Sequence, residues 1–123
     1  MILSNEFYII PEEVFRVGNG SSPRMHMVRS SEVDLTEVNG MKMIIANGRG
    51  VSLYTKDELA RTFLTGWIWK FEARTMIPLG LKLVNDKTGH FCVAPVHNMP
   101  LDQYKGLLER MGMKAEKAWR KTA

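Results

Sequence analysis

One cysteine, Cys92, is all this 123-residue chain has, so it cannot close an internal disulfide. That suits a reducing compartment. Histidine is also sparse: His26, His90 and His97 lie too far apart for a local metal signature. No apolar run approaches membrane-spanning length, so no membrane partner is expected. The opening Met1-Ile2-Leu3-Ser4-Asn5-Glu6 lacks the basic region and long apolar segment of a cleaved secretory signal. The expected site of action is the cytoplasm, with any export proceeding without a cleaved signal. Walker and Rossmann glycine patterns, His-Glu-x-x-His and paired Cys-x-x-Cys are all missing. Ser52 sits in Gly50-Val51-Ser52-Leu53-Tyr54, which is no Gly-x-Ser-x-Gly elbow, and this argues against a hydrolase nucleophile.

What is present fits one soluble domain over residues 1–123, with 45% hydrophobic and 24% charged residues. The formal charge of +4 is unevenly placed, because residues 101–123 hold six basic and three acidic side chains. Lys105, Arg110, Lys114, Lys117, Arg120 and Lys121 are either a solvated helix face or a surface for nucleic acid or an acidic partner.

Strands are expected at 6–10 and 13–17, interrupted by Pro11, and a turn-rich loop at 18–23. Residues 25–38 are polar and mixed and are expected to form a mobile flap. An extended run at 41–46 precedes the tight turn Asn47-Gly48. Thr55 and Glu58 form a capping box for a helix over 56–65, with Gly66 as its stop. Alternation at 67–73 marks a half-buried strand, and a hairpin joins strands at 81–84 and 90–96 through residues 85–89. A final helix is expected over 101–120, with Tyr104, Leu107, Leu108, Met111, Ala115 and Ala118 on one stripe. The fold class is α+β: a mixed or antiparallel sheet core with a mid-chain helix and a C-terminal helix.

The corner from Asn47 to Glu58 sets Ser52, Tyr54 and Thr55 at a strand-to-helix junction. Hydroxyls there can grip a ribose or carboxamide, and free helix amides favour an anion. Arg16 lies within the apolar strand Val14-Phe15-Arg16-Val17, sharing a face with Val14. Its charge needs a partner, which is an internal carboxylate, solvent at an edge, or a bound phosphate or carboxylate. His90 opens a strand after Gly89 and is either a turn residue bonded to backbone or a group that orients a substrate hydroxyl or moves a proton.

In chain order, Phe15-Arg16-Val17, Gly50-Val51-Ser52-Leu53-Tyr54, Ile77-Pro78-Leu79-Gly80-Leu81-Lys82 and Gly89-His90-Phe91-Cys92-Val93-Ala94-Pro95 resemble a known toxin family. It is the small type VI secretion effector family with an ADP-ribosyltransferase-like fold, which has bacterial and fungal members. The resemblance spans residues 14–111. It implies a split sheet holding NAD, as substrate, in the cleft between its halves, with no metal. It also implies that Arg16 holds the nicotinamide-side phosphate and ribose region, that Ser52 supports the nicotinamide ribose, and that His90 is functionally required. Tyr54 and Thr55 are added as NAD contacts through their proximity to Ser52. The implied act is cleavage of the nicotinamide–ribose bond, with or without transfer of ADP-ribose to an unknown macromolecular target, and with a cognate immunity protein as partner. The glutamate that such transferases use has no evident counterpart in the sequence. The alternative is a nucleic-acid-acting toxin or binding module that relies on the basic C-terminal helix.

Overall fold

The computed structural model describes residues 5–122; residues 1–4, which bear on the secretory-signal expectation, lie outside it. The strands are β1 (Glu6–Phe7), β2 (Val14–Gly18), β3 (Leu35–Val38), β4 (Met41–Ile44), β5 (Val51–Tyr54), β6 (Gly66–Phe71), β7 (Leu81–Lys87), β8 (His90–Pro95), β9 (Met99–Pro100) and β10 (Glu116–Lys121). The helices are α1 (Lys56–Ala60) and α2 (Leu101–Gly112). A seven-stranded sheet runs β1-β7-β8-β5-β2-β6-β10, and a three-stranded one runs β3-β4-β9. The α+β class stands, and the strand pairings are antiparallel.

The large sheet is nearly cut in two. β2 meets β6 at five register positions, whereas β2 and β5 share only Phe15↔Tyr54. Beyond that pair β2 and β5 part, and a cleft opens between the halves β1-β7-β8-β5 and β2-β6-β10. Strand alternation decides which side chains face it. On β5, Val51 and Leu53 are fully buried in the main core, while Ser52 and Tyr54 point the other way. On β2, Val14 enters that core, while Phe15 packs with Leu59 and Ile68 in a second cluster.

Helix α2 covers the main core through Tyr104, Leu108 and Met111. The Tyr104 hydroxyl is fully buried; it donates to Val93 O at 2.6 Å and accepts from Val51 N–H at 3.1 Å. One phenol thus bridges β5 and β8 from beneath, just before Ser52. Burial pushes its pKa well above the usual tyrosine value.

Several elements differ from expectation. The final helix stops at Gly112, and residues 116–121 form β10 on the open edge of β6. Turns of the i→i+3 type, Lys114 N–H to Met111 O and Ala115 N–H to Gly112 O, unwind its end. Trp119 then packs edge-on against Phe15 at 5.2 Å. The unpaired edge of β6 competes with helix propensity and wins. The basic C-terminal helix is therefore half strand. Lys114, Lys117 and Lys121 donate their ammonium groups to the carbonyls of Met76, Gly20, and Thr62 with Leu64.

Helix α1 ends at Ala60, not at residue 65. The Thr62 hydroxyl donates to Leu59 O at 2.8 Å and takes over the last turn, leaving Phe63 98% exposed. Gly66, expected as the helix stop, begins β6 at φ +137. The capping box is half made: Thr55 Oγ1 accepts from Glu58 N–H, but Thr55 N–H donates to Gly89 O instead. Residues 25–38 form no loose flap. Met25 and Val33 are buried, and residues 35–38 pair with β4.

Candidate functional site

A cavity of about 640 Å³ occupies the cleft where β2 and β5 part. That volume is ample for a small-molecule ligand, the usual range being roughly 300–1,000 Å³. Arg16 and Val17 line one wall, and Ser52, Tyr54, His90 and Cys92 the other. The second set is cross-strand neighbours, Ser52↔Cys92 and Tyr54↔His90. Period-2 alternation puts all four side chains on the face opposite the core. The structure therefore brings together Arg16, Ser52, Tyr54 and His90.

Thr55 is placed elsewhere. Its hydroxyl caps α1, and it lines a separate groove with Glu12, Glu13 and Lys56. The strand ends at Tyr54, so the next residue leaves the cavity face.

Ser52 shows how the split is held. Where β2 has moved away, the backbone groups of Ser52 on that side have no ladder partner, and buried polar groups need one. Arg16 Nη1 donates to Ser52 O at 3.2 Å, and Glu32 Oε2 accepts from Ser52 N–H at 3.0 Å. Arg16 and Glu32 also face each other at 3.8 Å, with side chains 12% and 11% exposed. Arg16 Nη2 donates to Arg24 O and Met27 O, and Glu32 Oε1 accepts from Arg29 N–H. Burial lowers the Arg16 pKa and Glu32 opposes that shift; an arginine stays charged regardless. Arg16 is thus an internal ion-pair residue at the cavity wall. Its Nε is buried without a hydrogen-bond partner.

The loop between β2 and β3 supplies two residues that sequence reasoning missed. Glu32 is a carboxylate inside the cavity, and Arg29 is an exposed guanidinium on its lining with no partner among the described residues. Arg49, also on the lining, is committed to Asp34 at 2.8 Å and to Ser31 O. Local sequence offered no signal for Glu32, since its partners Arg16 and Ser52 are distant in the chain. The one local trace is the turn joining Arg29 and Glu32, in which the Glu32 side chain accepts from Arg29 N–H.

Asp86 is the second carboxylate on the lining. Its Oδ1 lies 2.6 Å from His90 Nδ1, and its Oδ2 accepts from Cys92 Sγ at 3.7 Å. Tyr54 meets the His90 ring edge-on at 5.2 Å. Burial, and then the charge of Asp86, push the Cys92 thiol up to about 11. Asp86, His90 and Cys92 offer donor types that bind zinc, all within 4.8 Å of one another. Here those donors are turned on each other in hydrogen bonds.

The arrangement can receive a ligand that carries both anionic and hydroxyl groups. Arg29 offers positive charge; Ser52, Tyr54 and His90 offer hydrogen bonds; Glu32 and Asp86 offer negative charge close by. No helix among the described residues is long and apolar enough to cross a membrane. No curated protein and no solved structure matches the chain. The sequence profile of the Tse2 ADP-ribosyltransferase toxin family does match, over residues 8–119, which take in the strands and helices that build this cavity. The chain belongs to the Tse2 ADP-ribosyltransferase toxin family, and is thus an ADP-ribosyltransferase-like enzyme with NAD as the substrate its family implies.

Proposed function

We propose that the chain is a growth-inhibiting toxin that acts in the cytoplasm, binding NAD in the β2–β5 cleft and breaking its nicotinamide–ribose bond. The observation that carries this is the gathering of Ser52, Tyr54, His90, Glu32 and Asp86 on one cavity whose lining also holds Arg16 and Arg29. In this reading Arg29 is the guanidinium free to pair with a phosphate. Arg16 contributes positive charge and fixes Ser52. The Ser52 hydroxyl and His90 meet the nicotinamide ribose, and Tyr54 borders the same ring.

The bond breaks heterolytically. Its electron pair passes to the pyridinium nitrogen, so nicotinamide leaves neutral and the ribose C1′ becomes an oxocarbenium centre. Water or a nucleophile of a target then adds to C1′ and gives up its proton. Fixed negative charge near C1′ stabilises that cation, and a single well-placed contact of this kind is worth about 10²–10³ in rate. Glu32 is the carboxylate on the cavity lining for this, since both oxygens of Asp86 are taken up by His90 and Cys92.

Incubating the purified chain with NAD and following nicotinamide release tests the reading. Labelled NAD added to a cell lysate distinguishes transfer to a macromolecule from hydrolysis. Lack of NAD turnover, together with unreduced toxicity of both Ser52→Ala and His90→Ala, would sink it. The same reading includes delivery by type VI secretion and a cognate immunity protein in the producing cell, whose co-expression restores growth.

A further inference from the structure

The β7–β8 hairpin carries an irregularity at the residue that touches His90. Val84 pairs with Cys92 and Asn85 with Phe91, but the next partner of β8, His90, faces Lys87. Asp86 is the extra residue, a β-bulge. Bulges re-aim side chains, and they gather beside active sites. Regular register from Val84, which lines the cavity, would give Asp86 the same face and pair it directly with His90. The bulge instead sets it beside both His90 and Cys92. The Asn85 side-chain amide donates to Lys87 O at 2.8 Å and to His90 O at 2.9 Å, clamping the distorted turn from both strands. A two-residue connection, Thr88-Gly89, with Gly89 at φ +77, closes the hairpin.

The result fixes the imidazole on several sides. Asp86 on β7 takes Nδ1, the Tyr54 ring on β5 lies against its edge, and Cys92 follows on β8. Across the cavity stand Glu32 and Arg16. The Cys92 thiol keeps its proton and donates to the second oxygen of Asp86. This leaves that carboxylate an acceptor on both oxygens, and a carboxylate acceptor selects the His tautomer with hydrogen on Nδ1. His90 Nε2 has no hydrogen-bond partner among the described residues.

We propose that Asp86 is a positioning residue: it holds His90 as the Nδ1–H tautomer, so that Nε2 serves as the acceptor for a ribose hydroxyl of the substrate. The inference rests on the reading that His90 works in this cavity. Asp86 itself need not touch the substrate for the effect. A partner of this kind typically matters about 10- to 100-fold through the group it orients.

The test compares Asp86→Asn and Asp86→Ala with His90→Ala and Cys92→Ala. Nicotinamide release is measured across pH, and the His90 ring nitrogens are followed by ¹⁵N NMR, assigned by their loss in His90→Ala. Expected are single-tautomer signals in the unmutated chain and in Cys92→Ala. Asp86→Asn should show a mixed or reversed tautomer, a 10- to 100-fold fall in turnover, and an altered pH profile. Asp86→Asn with unchanged turnover and pH profile, beside an inactive His90→Ala, overturns the positioning role alone. Lost turnover with an unchanged tautomer overturns it too, because Asp86 would then act directly. A fully active His90→Ala overturns both the inference and the site reading. If Asp86→Ala fails to fold, Asp86→Asn and the NMR signals decide.

Discussion

Arg16 donates from Nη1 to the main-chain carbonyl of Ser52 at 3.2 Å, spanning the gap where two neighbouring strands of one sheet have separated. Glu32 completes the arrangement by accepting from Ser52 N–H at 3.0 Å. Two charged side chains therefore do for Ser52 what a paired strand would otherwise do. The sheet can open a ligand-sized cleft without leaving these backbone groups unsatisfied.

Removing the Arg16 guanidinium should unfold the cleft before it affects chemistry. Arg16→Ala leaves the carbonyls of Ser52, Arg24 and Met27 without this donor and Glu32 without its paired charge. Breaking one side of a buried pair costs about 3–5 kcal/mol. Urea denaturation should show a loss of that order. Arg16→Lys should lose less but still measurably, since an ammonium lacks the fork that reaches several carbonyls at once.

Ser52→Ala should behave in the opposite way. The structural bonds of Ser52 are made by its main chain, so the variant should keep its melting temperature within a few degrees. Nicotinamide release should drop by about 10²–10³, the scale of one lost transition-state contact. Growth on induction should recover in parallel, and His90→Ala should match it.

Tyr104→Phe isolates the bridge beneath Ser52. It removes the hydroxyl that joins Val51 N–H to Val93 O. Leaving buried groups unpaired costs about 1–3 kcal/mol. A urea midpoint that does not move would show that the two backbone groups find each other without the phenol.

Alkaline pH should weaken the fold through Cys92. Its thiol titrates at about 11 in the folded chain, against an ordinary 9.0. Between those values the unfolded chain has lost a proton that the folded one still holds. Stability therefore falls as pH rises from about 9 to about 11. Cys92→Ala should flatten that part of the stability curve relative to the unmutated chain. Alkylation of the folded thiol at pH 8 should run at least about 100-fold slower than that of a free cysteine.

Reversing charge at Lys114 and Lys117 separates the NAD reading from one based on nucleic acid. Both ammonium groups serve backbone carbonyls, and Lys117 also lies 4.7 Å over the Trp67 ring. Lys114→Glu with Lys117→Glu should lower stability modestly and leave NAD turnover within about twofold. Loss of toxicity with intact NAD turnover would favour the nucleic-acid reading.

Local patterning was enough for the α+β class, for the strand-to-helix corner that carries Ser52 and Tyr54, and for the start of α1 at Thr55. These follow from short-range physics: side-chain period, capping chemistry and turn residues. Arg16 was also legible as a charge in an apolar strand that required a partner.

Which partner it takes was not legible. Glu32 lies 16 residues along the chain from Arg16 and 20 residues before Ser52, and only the folded loop brings the three together. The stretch 116–121 carried helix-like spacing, yet the open edge of β6 made it a strand, a choice set by a hydrogen-bonding surface elsewhere in the chain. Asp86 looked like part of a hairpin loop, but β7 runs on through it to Lys87, and its pairing with β8 sets Asp86 beside His90. The corner around Ser52 was fixed by its own residues. The cleft beside it exists because two strands part and side chains from distant segments satisfy what they leave behind.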